Sequence, residues 1–223
     1  MKGLPIRIPS LSLRPSRMAD TYRTLAAPHD AEPPKTKGSR FLGHVAPVAD
    51  EAEALAAVEA VRKREHAARH HAWAFRLGAS GETWRASDDG EPSGTGGRPI
   101  LQEIEGAGLT NVVAVVTRYY GGTKLGTGPL ARAYGEAACL ALEEARQRRL
   151  VRTVTVRVPL TLHYAFADTA AAMRALEAFD AEMADQRYTA EGGALALRVR
   201  ASHAEPLAAA FVEATAGRGA VTQ

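Results

Sequence analysis

Hydrophobic and polar residues alternate along the chain with two different periods, and their order predicts a mixed α+β protein. In the first half, strand-like and helix-like segments follow one another as β α β β α β α. Residues 111–120 (NVVAVVTRYY) begin with a nearly continuous apolar run, which is typical of a central strand buried on both faces. The other predicted elements are strands at 39–48, 70–78 and 82–87, a helix that begins after Asp50, and helices at 99–105 and 129–149.

Capping residues mark where several of the predicted helices begin. Asp50 is a good N-cap, with Glu53 three residues later and an apolar stripe after it. Asp168 is a candidate cap in the second half of the chain, and Ser202 with Glu205 forms a candidate capping box. These positions predict three helix starts.

The second half of the chain predicts a smaller unit with the order βαββα and room for a closing edge strand. Residues 151–164 alternate as one strand, and an EGG turn joins predicted strands at 182–189 and 195–201. The last helix is expected to end at Gly217. This order suits a ferredoxin-like sandwich.

The beginning of the chain differs in charge from the rest. Its first 17 residues contain four basic side chains and no acidic one, namely Lys2, Arg7, Arg14 and Arg17. Removing these four from the 28 basic residues leaves 24 against 25 acidic ones, a net charge of −1 instead of +3. The segment lacks the apolar run of a signal peptide, and Met18 is an alternative start. We predict a disordered or loosely ordered extension at 1–36, a first domain at 37–149 and a second at 150–223.

Composition argues against several classes of protein. No apolar run approaches the ~20 residues that a membrane-spanning helix needs, so we expect a soluble protein without a membrane partner. The single cysteine, Cys139, cannot form an intrachain disulfide and suits a reducing compartment, so we expect a cytoplasmic location. Nothing in the sequence indicates a nucleophile elbow or a hydrolase triad.

A glycine-rich loop joins the central strand to the long helix, within residues 117–134 (TRYYGGTKLGTGPLARAY). Backbone N–H groups at a helix N-terminus, with Lys124 and Arg132 nearby, form a suitable anion site. The loop matches neither the P-loop nor the dinucleotide-binding motif. Alternatively, its glycines only permit a sharp connection between strand and helix.

A second loop, residues 87–99 (SDDGEPSGTGGRP), is acidic and rich in glycine. Its carboxylates could bind Mg²⁺ together with Ser93 or Thr95, or act in general acid–base catalysis. They could also form a solvated turn. A fourth alternative is a structural network that links both loops through the cations Arg98, Arg118 and Lys124.

Both loops, together with SRFLGHVAPV and HHAWAF, resemble the bacterial YigZ branch of the IMPACT family over residues 37–142. The resemblance implies a first domain like the second domain of the fifth small-subunit ribosomal protein. It also implies a ferredoxin-like second domain similar to the last domain of elongation factor G. His70, His71 and Ala72 stand where the family has His-Asn-Cys, which argues against a cysteine-dependent role.

The family's motifs map onto the two loops residue by residue. In the acidic loop, the candidate binding residues are Asp88, Asp89, Gly90, Glu91, Pro92, Ser93 and Gly94. In and after the central strand, they are Arg118, Tyr119, Gly121, Gly122, Lys124, Gly126, Gly128 and Arg132. We expect residues 87–97 and 121–128 to meet around Arg118 and to form one recognition surface.

The resemblance implies a non-enzymatic, translation-associated protein that contacts the ribosome, RNA or a translation-factor protein. A positive strip that continues over five arginines of the second domain would favour RNA: Arg152, Arg157, Arg187, Arg198 and Arg200. The alternative is a Mg²⁺-dependent enzyme, or a binder of a phosphorylated small molecule, that uses the glycine-rich loop. The sequence assigns no catalytic residue, metal ligand or cofactor.

Overall fold

The first of the three sheets within residues 20–223 is built around the predicted apolar strand. The computed structural model describes residues 20–223, so the prediction for residues 1–19 lies outside the described residues. The strands of this sheet pair antiparallel in the order β2-β3-β6-β4-β5. Their bounds are β2 His29–Ala31, β3 Arg40–Pro47, β4 His70–Leu77, β5 Thr83–Ser87 and β6 Val112–Tyr119.

Three helices cover the two faces of this sheet. They are α1 Glu51–Arg64, α2 Gly97–Gly106 and α3 Thr127–Gln147. Alternate residues of β6 enter two different cores: Val112, Ala114 and Val116 pack with α2 and α3, whereas Val113 and Val115 pack with α1. The prediction of a central strand buried on both faces is confirmed.

The prediction of a loosely ordered segment is wrong for residues 20–36. Strand β1, Thr21–Leu25, pairs antiparallel with β7, Val151–Thr155, and Leu25 is fully buried in the α2–α3 core. The partner of β1 lies more than 120 residues away, so the local polar and proline-rich composition could not reveal the pairing.

The second half of the chain forms a four-stranded antiparallel sheet with the order β11-β8-β10-β9. The helices α4 and α5 pack on one face of this sheet, which is the arrangement of the predicted ferredoxin-like sandwich. The elements are β8 Arg157–Ala165, α4 Thr169–Glu177, β9 Ala181–Tyr188, β10 Gly192–Arg200, α5 Ala204–Ala214 and β11 Ala220–Thr222.

The single strand predicted at 151–164 is two strands that belong to different sheets. The chain changes sheets at Val156, whose N–H donates to the Asp20 carbonyl and whose carbonyl accepts from the Ala201 N–H. Strand β7 therefore pairs with β1, and β8 pairs with β10 and β11.

One of the three predicted helix caps is confirmed. The Asp50 carboxylate accepts the Glu53 N–H, and the Glu53 carboxylate accepts the Ala49 N–H. Asp168 instead forms a two-bond ion pair with Arg218, at 2.5 and 3.0 Å, and makes no capping bond. Ser202 bonds to the carboxylate of Asp20 instead of capping α5.

Candidate functional site

Asp88 holds its own loop to the start of α2. Its carboxylate accepts N–H groups from Gly94, Gly96 and Gly97 at 2.8 to 2.9 Å. Burial disfavours the charged carboxylate, but the three N–H donors outweigh this effect, so the pKa of Asp88 lies below its ordinary value. Asp88 is therefore a carboxylate that caps α2, although it lies nine residues before the helix.

Asp89 joins the loop to α1 and β4. Its backbone φ of 47° lies in the left-handed region, which Asp tolerates better than most residues. One carboxylate oxygen accepts from the Arg62 guanidinium at 2.5 Å, and the other accepts the His71 N–H at 2.7 Å. The Asp89 carbonyl lies 2.9 Å from Nδ1 of His70. Every polar group of the Asp89 side chain is thus bonded within the protein.

Glu91 lies at the centre of a buried network. Its carboxylate accepts from Nη1 of Arg118 at 2.8 and 3.1 Å and from the Tyr134 hydroxyl at 2.8 Å. The Glu91 and Arg118 side chains are only 4% and 8% exposed. Burial, followed by the Glu91 charge, raises the pKa of Tyr134 far above its ordinary value, so its hydroxyl remains a donor. The network connects the acidic loop, β6 and α3.

This geometry distinguishes among the four alternatives for the acidic loop. The carboxylate oxygens of Asp88, Asp89 and Glu91 accept protein N–H and O–H groups, so they are not arranged to coordinate Mg²⁺. Residues 20–223 contain no cluster of three or more potential metal ligands. The acidic loop is part of a structural network whose cations are Arg62 and Arg118. This network differs from the predicted one: within residues 20–223, Arg98 and Lys124 form no ion pair, and no hydrogen bond or ion pair extends the network to the glycine-rich loop.

The glycine-rich loop after β6 is exposed. Its first residue, Gly121, contacts the segment that precedes β3. Gly121 donates to the Ser39 hydroxyl at 3.2 Å, and a Cβ atom there would overlap the backbone of Gly38. Gly126 is the N-cap of α3 and has no side chain to bond the first helical amides. Lys124 and Arg132 are exposed and have no ion-pair partner within residues 20–223.

Arg118 also takes part in an aromatic stack at the end of β6. Its guanidinium lies 5.7 Å from the ring centroids of both Phe41 and Tyr120. Its Nε atom is buried and has no hydrogen-bond partner among the described residues. Tyr120 is 59% exposed, so one side of this stack faces solvent. The sequence prediction omitted Tyr120, although its position two residues after Arg118, at the end of a buried strand, was a usable signal.

Tyr119 belongs to a different group from Tyr120. Its hydroxyl donates to Glu65 at 2.9 Å, and its ring lies under the Arg40 guanidinium at 5.4 Å. Burial and the neighbouring Glu65 carboxylate raise the pKa of Tyr119. These contacts fix the end of β6 against β3 and the end of α1.

The two loops are related to Arg118 in different ways. Glu91 of the acidic loop contacts Arg118 directly, and the glycine-rich loop begins three residues after it. Within the described part of the chain, no hydrogen bond or ion pair joins residues 87–97 to residues 121–128. Pro92, Ser93 and Gly94 are exposed and form the outer tip of the acidic loop, which turns at Gly90 and Gly94 with positive φ.

The positive strip over the second domain that would favour RNA is interrupted by acidic residues. Asp180 pairs with both Arg157 and Arg200 at 3.1 Å, and Arg187 pairs with Asp185 at 2.7 Å. Three of the five arginines are thus already paired with acidic residues.

Comparison with known proteins places the chain in a family. A model of the Impact N-terminal domain matches residues 37–142. An IMPACT family member encoded in the pol 5′ region of Thermus thermophilus is 46% identical over 163 residues, which cover 72% of this chain and 84% of the relative. This chain belongs to the IMPACT family. The IMPACT family member YigZ of Escherichia coli is 44% identical over 115 residues, about half of each chain (51% and 56%).

A solved structure shares the fold of this protein over nearly the whole chain. The crystal structure of a hypothetical protein aligns with a TM-score of 0.63 at 31% identity, and the alignment covers 91% of this chain and 96% of that one. None of the helices within residues 20–223 is long and apolar enough to cross a membrane.

Proposed function

We propose that this IMPACT family protein is a non-enzymatic, translation-associated protein that binds RNA through the glycine-rich loop and Tyr120. The observation that supports the proposal is that the polar groups of the two loops differ in their exposure. The carboxylates of the acidic loop are bonded inside the protein, whereas the ring of Tyr120 and the cations Lys124 and Arg132 are exposed. The translation context comes from the family resemblance.

Single-stranded RNA suits this combination of groups. Its bases stack on exposed aromatic rings, and its phosphates are attracted to lysine and arginine and to helix N-termini. The stack of Arg118 against Tyr120 fixes the orientation of the ring before any ligand arrives, which lowers the entropic cost of binding. The net charge of −1 outside residues 1–17 favours local recognition over a general attraction to nucleic acid.

The test is fluorescence anisotropy of a labelled single-stranded oligoribonucleotide over a series of salt concentrations. We expect Tyr120→Ala to weaken binding by about 1–3 kcal/mol, the usual value of one base stack. Lys124→Ala should lower the slope of log K against log salt by about 0.7, as for one phosphate contact to a single strand. Lys63→Ala, an exposed lysine on α1, is the matched control.

Two outcomes would refute the RNA proposal: no binding at low salt, or equal effects of Lys124→Ala and Lys63→Ala.

A phosphorylated small molecule is the second candidate, because the Thr127 and Gly128 N–H groups at the start of α3 have no partner among the described residues. Inorganic pyrophosphate at a hundred times its Kd would then stabilise the protein by about 2.7 kcal/mol. Lys124→Ala would remove that stabilisation.

A further inference from the structure

The strand β9 leaves an exposed edge on the second sheet. It is the last strand in the order β11-β8-β10-β9, and no strand within residues 20–223 pairs with its outer side. Seven of its eight residues are exposed. Such an edge presents free N–H and C=O groups and is a template for pairing with another strand.

Apolar side chains accompany this free edge. Met183 and Tyr188 are 49% and 65% exposed, although they are paired opposite Leu197 and Gly193 on the face of the sheet that carries the core. The Phe166 ring, 52% exposed, stacks on Tyr188 with centroids 6.2 Å apart. A partner that covers this edge would therefore bury apolar surface as well as form backbone hydrogen bonds.

The charges of β9 are complementary to those of a second β9. A bulge between Met183 and Asp185 shifts the register with β10, so that Glu182 and Arg187 stand opposite Arg198 and Ala194. Positions 194 and 198 of β10 are four residues apart and share a face, so Glu182 and Arg187 also share a face. Without the bulge, residues five apart would point to opposite faces.

We propose that two copies of this chain associate by antiparallel pairing of β9 with β9 and thereby form one eight-stranded sheet. With the two-fold axis between Ala184 and Asp185, Glu182 of each copy lies opposite Arg187 of the other, and this ion pair occurs twice. Met183 then lies opposite Gln186, on the same face as the core.

Forming the dimer would replace the ion pairs that Glu182 and Arg187 make within one chain, and this replacement costs little. Arg187 now pairs with Asp185, and their side chains are 81% and 48% exposed. Glu182, 60% exposed, pairs with Arg157, which is 18% exposed but keeps a second ion pair, to Asp180. Exposed pairs of this kind contribute little to stability, so their rearrangement costs little.

The experiment is sedimentation velocity over a range of protein concentrations with the full chain and two charge-reversal variants. We expect the wild type to dimerise with increasing concentration. Glu182→Arg and Arg187→Glu each place like charges opposite one another twice, so each alone should weaken dimerisation roughly tenfold or more. An equimolar mixture of the two variants restores both opposite-charge pairs, so it should dimerise again.

The mixture separates the proposal from a loss of folding, because a misfolded variant would not regain association when mixed with another. Glu177→Arg, an exposed residue of α4, is the matched control and should dimerise like the wild type. A wild type that remains monomeric at the highest soluble concentration would overturn the proposal. Single variants that dimerise normally, or a mixture that stays monomeric, would overturn it as well.

Discussion

Replacing Glu91 by Gln tests whether the acidic loop is a structural network. The substitution keeps the shape of the side chain but removes the negative charge that faces the buried Arg118 guanidinium. The Gln carbonyl oxygen can take the place of Oε1 and still accept from both Arg118 and Tyr134, but the Gln NH2 group then stands where Oε2 now accepts from Arg118, so two donors face each other. The variant therefore leaves a buried cation without its counter-ion.

The size of the effect follows from burial. Both side chains are less than a tenth exposed, so solvent screens the ion pair weakly. Breaking a buried pair by removing one partner costs about 3–5 kcal/mol, and the isosteric Gln favours the lower end. At about 2–4 °C per kcal/mol for a protein of this size, we expect the melting temperature to fall by roughly 10 °C.

The assay is differential scanning calorimetry at neutral pH, supported by urea unfolding. Glu32→Gln is the control, since Glu32 pairs with Arg40 while both side chains are about 40% exposed (39% and 42%), and its melting temperature should hardly change. Equal, small shifts for the two variants would refute the view that Glu91 holds the acidic loop to β6 and α3.

Three further predictions concern single residues. Gly121→Ala should destabilise the protein strongly, because its Cβ atom would overlap Gly38, whereas Gly128→Ala has free space in the first turn of α3 and should be neutral or stabilising by about 0.5–1 kcal/mol in urea unfolding. Burial lowers the pKa of His71, so protonation favours the unfolded chain; stability should fall as pH drops below about 6.5, and urea titrations at pH 7 and 5 should show a smaller fall for His71→Asn. Burial, with Glu103 nearby, raises the pKa of Cys139 to about 11, so its alkylation at neutral pH, followed by mass spectrometry, should be about a hundredfold slower than that of an ordinary thiol.

Local patterns were sufficient to predict most of the fold. The apolar run of β6 and the alternation of β4 and β5 are properties of short segments, and these strands lie where the pattern placed them. The N-cap of α1 is equally local, since Asp50 accepts the N–H of Glu53 only three residues later. Elements of this kind depend on neighbours in sequence, which a single chain displays.

The features that could not be predicted depend on distant residues. Strand β1 needs β7 as its partner, and Ser202 bonds to Asp20 across 182 positions of the chain. Asp168 has the sequence context of a cap, but the guanidinium of Arg218 offers its carboxylate two charge-assisted bonds, which are stronger than one bond to an amide.

The candidate site also combines local features that could be predicted with features that depend on distant residues. The two loops were identified from their composition, and the link from the acidic loop to Arg118 was one of the alternatives. The roles of the three carboxylates were not predictable, because Arg62, His71 and Tyr134 reach the acidic loop from three different elements. Only the folded structure shows that these groups donate hydrogen bonds to the carboxylate oxygens of the acidic loop.

The ribbon of β1 and β7 determines how the protein can be dissected. The antiparallel pairing holds residues 21–25 against residues 151–155, so the two ends of the first half of the chain lie side by side. A fragment cut at 37 and 149 would lose both strands and uncover the cavity filled by Leu25. A first half made for separate study should therefore start no later than residue 20 and run through residue 155.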